Sequence, residues 1–188
     1  MLRSWFQPLC AVSLPCPSNG RQVYMQEIDA ASPSLPDFLS DYLEPVKQLL
    51  EKAGVFKGTA YLTVDEKNVP AGGTQRRPHP HVDGCFYPNL KRWGGGGGGW
   101  NHYCNGVPLE RMSVVIAASK GGAKAWQGDF DETPKEDGDL SHVTLPDANV
   151  LEGNVGYLLS PDCIHESPVY EEETPRTFMR LALPVSNN

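Results

Sequence analysis

The chain has 188 residues, of which 39% are hydrophobic and 21% charged, a length and composition suited to one domain with its own core. Its formal net charge of −7 argues against a broad nucleic-acid-binding surface, because phosphate contact needs clustered lysine and arginine. No stretch approaches the run of about 18 apolar residues that a membrane span needs.

The cysteine pattern and the first residues predict the cellular compartment of the protein. Five cysteines form an odd set without metal-type Cys-x-x-Cys spacing, which favours reduced thiols. The start of the chain is a poor signal peptide, because Pro8 and Pro15 interrupt its apolar stretch. We therefore expect a cytoplasmic protein without membrane attachment.

Residues 1–54 predict an N-terminal part that is helical or irregular. Residues 22–28 favour a strand within it. Residues 35–53 place apolar side chains at intervals of three and four, the pattern of one helix face packed against a core. Ser34 is expected to cap this helix, and Pro45 is expected to kink it or divide it in two, because proline removes a helical hydrogen bond.

Residues 55–184 predict a β-rich core. Short apolar runs alternate with glycine and proline, a pattern that favours a sandwich or barrel. The predicted strands are residues 59–64, 112–118, 123–126, 143–145, 155–159 and 177–183.

A glycine-rich segment, residues 93–106, interrupts the β-rich part. Six consecutive glycines cannot pack a core and lose much entropy on ordering, so we expect a mobile loop. One interpretation is a tolerated surface expansion. The other is a lid whose aromatic residues, among them Trp100 and Tyr103, close over a substrate.

A metal site is predicted from three residues. His81 and Asp83 are two apart, so on an extended strand both side chains point to the same face. His165 is the best candidate for a third ligand. Two imidazoles and one carboxylate on one side of a metal leave the opposite positions open, which suits non-haem Fe(II) oxygenases. His79 shares the face of His81 and is expected to contact either a ligand or the substrate.

Basic residues accompany this site. Arg77 lies just before it and is a candidate substrate contact. Arg176 and Arg180 lie on the terminal strand, where a guanidinium can hold a carboxylate through two parallel hydrogen bonds. The two lie about 13 Å apart at strand rise, too far to grip one carboxylate together. A lone charge deep in the apolar strand is costly, so Arg180 is expected to have a specific partner.

The order His-x-Asp, distal histidine and arginine, over residues 75–184, resembles the 2-oxoglutarate/Fe(II)-dependent oxygenase superfamily. Pro175 before Arg176 is similar to its phytanoyl-hydroxylase-like branch, or to a related bacterial or phage branch. The resemblance implies a mainly β double-stranded β-helix (jelly roll) with one or two N-terminal packing helices. It implies Fe(II) as cofactor and 2-oxoglutarate as cosubstrate, with hydroxylation or other oxidation of a substrate and release of succinate and CO2. Since the family's arginine follows the distal histidine by about ten residues, Arg176 is the first choice for holding 2-oxoglutarate and Arg180 the second.

Other functions stay open from the sequence. A cupin-like metalloenzyme would use His79 and His81, although the glutamate expected a few residues later is missing. A zinc hydrolase could use the same two histidines and aspartate. A metal-free jelly roll could serve as a structural or glycan-binding module. The substrate, whether a small molecule or a protein side chain, is not specified.

Overall fold

The computed structural model describes residues 1–17, 20–84, 113–135 and 137–183, together with the backbone of four two-residue strands between residues 86 and 108. Most of the segment 93–106, including Trp100 and the side chain of Tyr103, lies outside the described residues. The lid and the surface expansion both stay predictions.

The described part of the chain is mainly β, with antiparallel sheets, as the sequence predicts. Strands are numbered in chain order. The largest sheet has the spatial order β2 (Phe6–Ala11), β13 (Val155–Leu159), β9 (Val114–Ala118), β15 (Thr174–Ala182), β4 (Thr59–Val69) and β3 (Gln22–Asp29).

Smaller sheets complete the described strands. A three-stranded sheet has the order β12 (Asn149–Val150), β10 (Lys124–Trp126) and β14 (Ile164–Glu166). The two-stranded pairs are β1 (Leu2–Ser4) with β11 (Gly128–Phe130), β5 (Phe86–Tyr87) with β6 (Arg92–Trp93), and β7 (Tyr103–Cys104) with β8 (Val107–Pro108).

The predicted helical stretch forms two helices, a 3-10 helix at Asp37–Tyr42 and α1 at Leu43–Lys52. Pro45 lies in the first turn of α1, where a missing N–H breaks no helical hydrogen bond. The prediction that Pro45 divides the helix is therefore confirmed. The predicted Ser34 cap is wrong, because the N-cap position is Pro36 and no side chain caps it. No helix among the described residues is long and apolar enough to cross a membrane.

The helices pack on one face of the six-stranded sheet. Leu49 of α1 lies so close to β13 that a Cβ atom at Gly156 would be 2.3 Å from the Leu49 Cδ2 atom. Met179 and Leu181 of β15 join this core and are fully buried. Since side chains alternate along a strand, Phe178 and its neighbours two residues away face the opposite side of the sheet. That side is where the candidate site lies.

The β structure differs from the sequence prediction near the N-terminus and at residues 143–145, and β11, β12 and β14 were not predicted. Residues 2–11 form β1 and β2, and β2 pairs with β13 through a register shift between Gly156 and Tyr157. The predicted strand at residues 143–145 is wrong. Val143 and Leu145 belong to a loop that packs against the buried cluster containing Trp126, whose indole N–H donates to the Pro146 carbonyl at 2.8 Å.

Candidate metal centre

His81 and His165 are held side by side by their own backbones. Each residue's N–H donates to the other's carbonyl at 3.0 Å, which makes them a hydrogen-bonded antiparallel pair. Their imidazole rings lie 4.4 Å apart between centroids. His81 forms isolated bridges and not the regular strand expected from the sequence. The pairing across 84 positions of sequence nevertheless brings two of the predicted ligands together.

Backbone carbonyls orient both imidazoles. The His81 Nδ1 atom lies 2.6 Å from the His79 carbonyl oxygen, and the His165 Nδ1 atom lies 2.9 Å from the Cys163 carbonyl oxygen. Because a carbonyl can only accept, Nδ1 is the donor in each contact, and in the neutral form of each ring the lone pair is then on Nε2. Such a contact fixes the tautomer that a metal needs. His79 takes part through its carbonyl, while its side chain is exposed.

Asp83 completes the cluster. Its Oδ2 atom lies 3.9 Å from the His165 Nε2 atom, and one ligand atom from each of His81, Asp83 and His165 lies within 4.8 Å of the others. Two ligand bonds of about 2.2 Å at a right angle place their donor atoms about 3.1 Å apart, so side-chain movements of about 1–2 Å would bring all three donors onto one ion. The three residues therefore fit a metal ion, as the sequence predicts.

Two arginines contact the Asp83 carboxylate, one on each oxygen. Arg180 Nη1 donates to Oδ2 at 2.9 Å, and Arg77 Nη2 donates to Oδ1 at 3.3 Å. Burial alone would raise the pKa of Asp83, but the charges of Arg180 and the neighbouring groups outweigh it and lower that pKa. Asp83 is thus an anion available to a cation. The expected partner of Arg180 is confirmed, and it is the predicted metal ligand itself.

Burial also keeps His81 neutral. It lowers the pKa of His81 to about 3, with a further contribution from His165. A neutral imidazole is the form that binds a metal. The cluster therefore combines an uncharged nitrogen donor and an ionised carboxylate at physiological pH.

The cluster opens into a cavity of about 370 Å³. Arg176, Phe178 and Arg180 form one wall, because all three lie on the same face of β15. Ile116 and Tyr157 add apolar surface from the neighbouring strands of the large sheet. The cavity is of a size that holds a small molecule beside the metal ligands.

Arg176 is fixed at the wall of this cavity. It is only 2% exposed, and it donates to the Gln75 Oε1 atom at 2.6 Å and to the Lys120 carbonyl at 3.2 Å. Gln75 in turn donates to the Asp65 carbonyl at 2.6 Å. Sequence reasoning did not find Gln75, and no local pattern marks it, because it meets Arg176 across 101 positions of sequence.

Arg77 lies at the edge of the site. Besides Asp83, its guanidinium bonds the Asp137 carbonyl at 2.5 Å, and the residue as a whole is exposed. The structure thus brings His81, Asp83, His165, Arg77 and both β15 arginines to one cavity.

No protein-family model and no curated protein matches the chain.

Proposed function

We propose that the protein is a non-haem Fe(II) and 2-oxoglutarate-dependent oxygenase. The observation that carries this proposal is the convergence of two imidazoles and one carboxylate, with ligand atoms within 4.8 Å, on a cavity walled by buried arginines. Two histidines and one carboxylate are the ligand set of non-haem Fe(II) oxygenases, because they leave coordination positions for small molecules.

The proposal includes a jelly-roll architecture. Its support is that residues of two antiparallel sheets line the site. The distal ligand His165 lies on β14 of the three-stranded sheet, while the arginines lie on β15 of the six-stranded sheet. The chain passes from one sheet to the other between β13 and β14, and residues of both sheets line the cavity.

The chain's own residues have separate tasks in this proposal. His81, Asp83 and His165 would hold Fe(II), which with 2-oxoglutarate and dioxygen supplies the oxidation of a substrate C–H bond and releases succinate and CO2. Arg180 holds the carboxylate of Asp83 in place. Phe178 contributes apolar wall that excludes water from the reacting groups.

Arg176 is assigned to the distal carboxylate of 2-oxoglutarate. Arg180 contacts a metal ligand at 2.9 Å and is occupied there. Arg176 lies four residues earlier in β15, on the same strand face, where it lines the cavity and is anchored by Gln75. A guanidinium held at a distance from the metal suits the far end of an elongated dianion.

The cupin-like alternative finds less support. It would need the His79 side chain as a ligand, and that side chain is exposed and is not part of the cavity lining. Asp83, which the cupin pattern does not use, lies among the candidate ligand atoms. The arrangement therefore favours His81, Asp83 and His165 as the ligand set.

Succinate release tests the proposed reaction. Wild-type protein with Fe(II), ascorbate and 2-oxoglutarate in air is expected to form succinate, measured by proton NMR, even without the natural substrate. Asp83→Ala should abolish this release, whereas His79→Ala is the matched control that should retain it. Equal succinate formation by wild type and Asp83→Ala would contradict the proposal.

A further inference from the structure

The cavity is a positively charged region in a negatively charged protein. Among the described residues that line it, cationic side chains outnumber anionic ones, although the chain carries a net charge of −7. The cationic residues are Arg76, Arg77, Lys120, Arg176 and Arg180, and the anionic ones are Asp83, Glu152 and Glu166. The cavity lining therefore concentrates positive charge in a protein whose net charge is negative.

Ion pairs and bound groups do not cancel the excess of positive charge in the cavity. Asp83 is already shared by Arg77 and Arg180, and Glu166 pairs at 3.1 Å with Lys124, which does not line the cavity. A divalent metal would add two positive charges, and a dianionic cosubstrate would remove two. With both bound, the cavity keeps its excess of positive charge.

Arg76 is a cationic residue of the cavity to which the proposed function assigns no task. Its guanidinium lies over the Phe178 ring, 5.3 Å from the centroid, and Arg176 lies 5.8 Å from the same centroid. Asp65 approaches Arg76 at 3.6 Å, which is longer than a normal hydrogen bond. Burial, and next the charge of Arg180, lower the pKa of Arg76, and together they outweigh the opposite effect of Asp65 and Asp83. The positive charge of Arg76 is therefore only partly balanced by its neighbours, and a bound anion would balance the rest.

We propose that the substrate of this site carries an anionic group, a carboxylate or a phosphate, which binds Arg76. The inference rests on the proposed oxygenase function and names the substrate class. Arg76 lies over Phe178, and Arg180, two residues further along the same strand face, contacts Asp83; Arg76 and the candidate metal ligands line the same cavity. A small acid whose anionic group binds Arg76 therefore has its carbon atoms in the cavity that holds the metal ligands.

Calorimetry with simple probes tests this inference. The protein is loaded with Mn(II) and saturated with 2-oxoglutarate under argon, so that the cosubstrate already occupies its own anchor. Inorganic phosphate and propionate represent the two anion types, and propionamide is the neutral control. At least one of the two anions should bind more tightly than propionamide, and the tighter one identifies the type.

Substitutions assign the binding to Arg76. Arg76→Gln should weaken anion binding about tenfold or more, because it removes charge-assisted hydrogen bonds. Arg3→Gln removes the same charge from an exposed residue of β1 and should change nothing. Asp65→Asn should tighten anion binding several-fold, because Arg76 loses its carboxylate neighbour. This second variant keeps the test decisive if Arg76→Gln fails to fold.

Two results would overturn the inference. One is that both anions bind no better than propionamide. The other is that Arg76→Gln spares anion binding and instead weakens 2-oxoglutarate binding, which would make Arg76 the cosubstrate anchor. Wild-type protein that binds neither Mn(II) nor 2-oxoglutarate would instead contradict the proposed function, so the two failures are distinguishable.

Discussion

Two carboxylates with arginine partners, Glu66 and Asp83, have opposite surroundings. Glu66 is 1% exposed and accepts hydrogen bonds from the Tyr42 hydroxyl at 2.6 Å and from Arg21 Nη2 at 2.6 Å and Nε at 2.9 Å. Arg21 also binds both oxygens of Asp41, each at 2.7 Å. This Glu66 cluster joins β4 to the chain before β3 and to the 3-10 helix.

Asp83, like Glu66, forms an ion pair with arginine, but its other neighbours are different. Both carboxylates have pKa values below their ordinary range, because arginine contacts outweigh the effect of burial. Only Asp83 lies beside two imidazoles with available Nε2 atoms and lines the cavity. A buried ion pair alone therefore indicates a structural role, whereas a carboxylate beside two imidazoles and a cavity indicates a candidate metal site.

Removing a candidate ligand should have the largest effect. His81→Ala, Asp83→Ala and His165→Ala are each expected to weaken Mn(II) binding more than 100-fold, because each removes one of three protein ligands. Isothermal titration calorimetry measures the affinity. Glu66→Gln and His79→Ala are the matched controls and should stay within threefold of wild type. An equal loss of Mn(II) affinity in Glu66→Gln would contradict the different roles assigned to the two carboxylates.

Arg176→Ala should weaken 2-oxoglutarate binding about 100-fold, since two charge-assisted hydrogen bonds together contribute about 3 kcal/mol or more. Metal affinity should be nearly unchanged, because Arg176 contacts none of the candidate ligands in the structure. Titration of the metal-free protein with Mn(II) gives the metal affinity, and titration of the Mn(II)-loaded protein with 2-oxoglutarate gives the cosubstrate affinity. If Arg180→Ala shows this selective loss instead, the assignment of the anchor is wrong.

Tyr42→Phe tests the structural cluster alone. Removing the hydroxyl that donates to Glu66 should lower the free energy of unfolding by about 2 kcal/mol, the range for a hydrogen bond to a charged group. Urea unfolding monitored by circular dichroism measures this change. Tyr24→Phe, at a residue that is 59% exposed, is the control and should have no effect. A large loss of metal affinity in Tyr42→Phe would couple the two clusters.

Acid should destabilise the metal-free protein through His81. Its pKa of about 3 in the folded state lies below the ordinary value near 6.5, so the folded state favours the neutral ring. The associated stability is complete above about pH 6.5 and is lost as pH falls towards 3, by at most about 1.4 kcal/mol per pH unit. His81→Asn should flatten this slope in urea unfolding between pH 6.5 and 4.5. Exposed His142→Asn should not, and equal slopes in wild type and His81→Asn would contradict the prediction.

The sequence predicted those parts of the molecule that local patterns determine. The His81-x-Asp83 pair, the helix division at Pro45 and the strand before His165 follow from spacing and from residue type. The backbone pairing of His81 with His165 and the identity of the Arg180 partner, Asp83, could not be predicted, because they join residues 84 and 97 positions apart.

Local patterns also misled in places. Strand β2 depends on pairing with β13 near the other end of the chain, and Pro8 within it weakens any strand signal. Residues 143–145 have the apolar alternation of a strand, yet Val143 and Leu145 lie in a loop and pack on the buried cluster that contains Trp126. Burial against a partner distant in sequence can thus produce the same pattern as strand pairing.

One measurement tests the central claim, that the His81, Asp83 and His165 site binds Fe(II) together with 2-oxoglutarate. Fe(II) and 2-oxoglutarate are added to the protein without oxygen, and the visible absorption spectrum is recorded. A metal-to-ligand charge-transfer band is predicted for wild type and for Glu66→Gln, and its absence is predicted for Asp83→Ala. Wild-type protein that binds Fe(II) but shows no band at saturating 2-oxoglutarate would contradict the account.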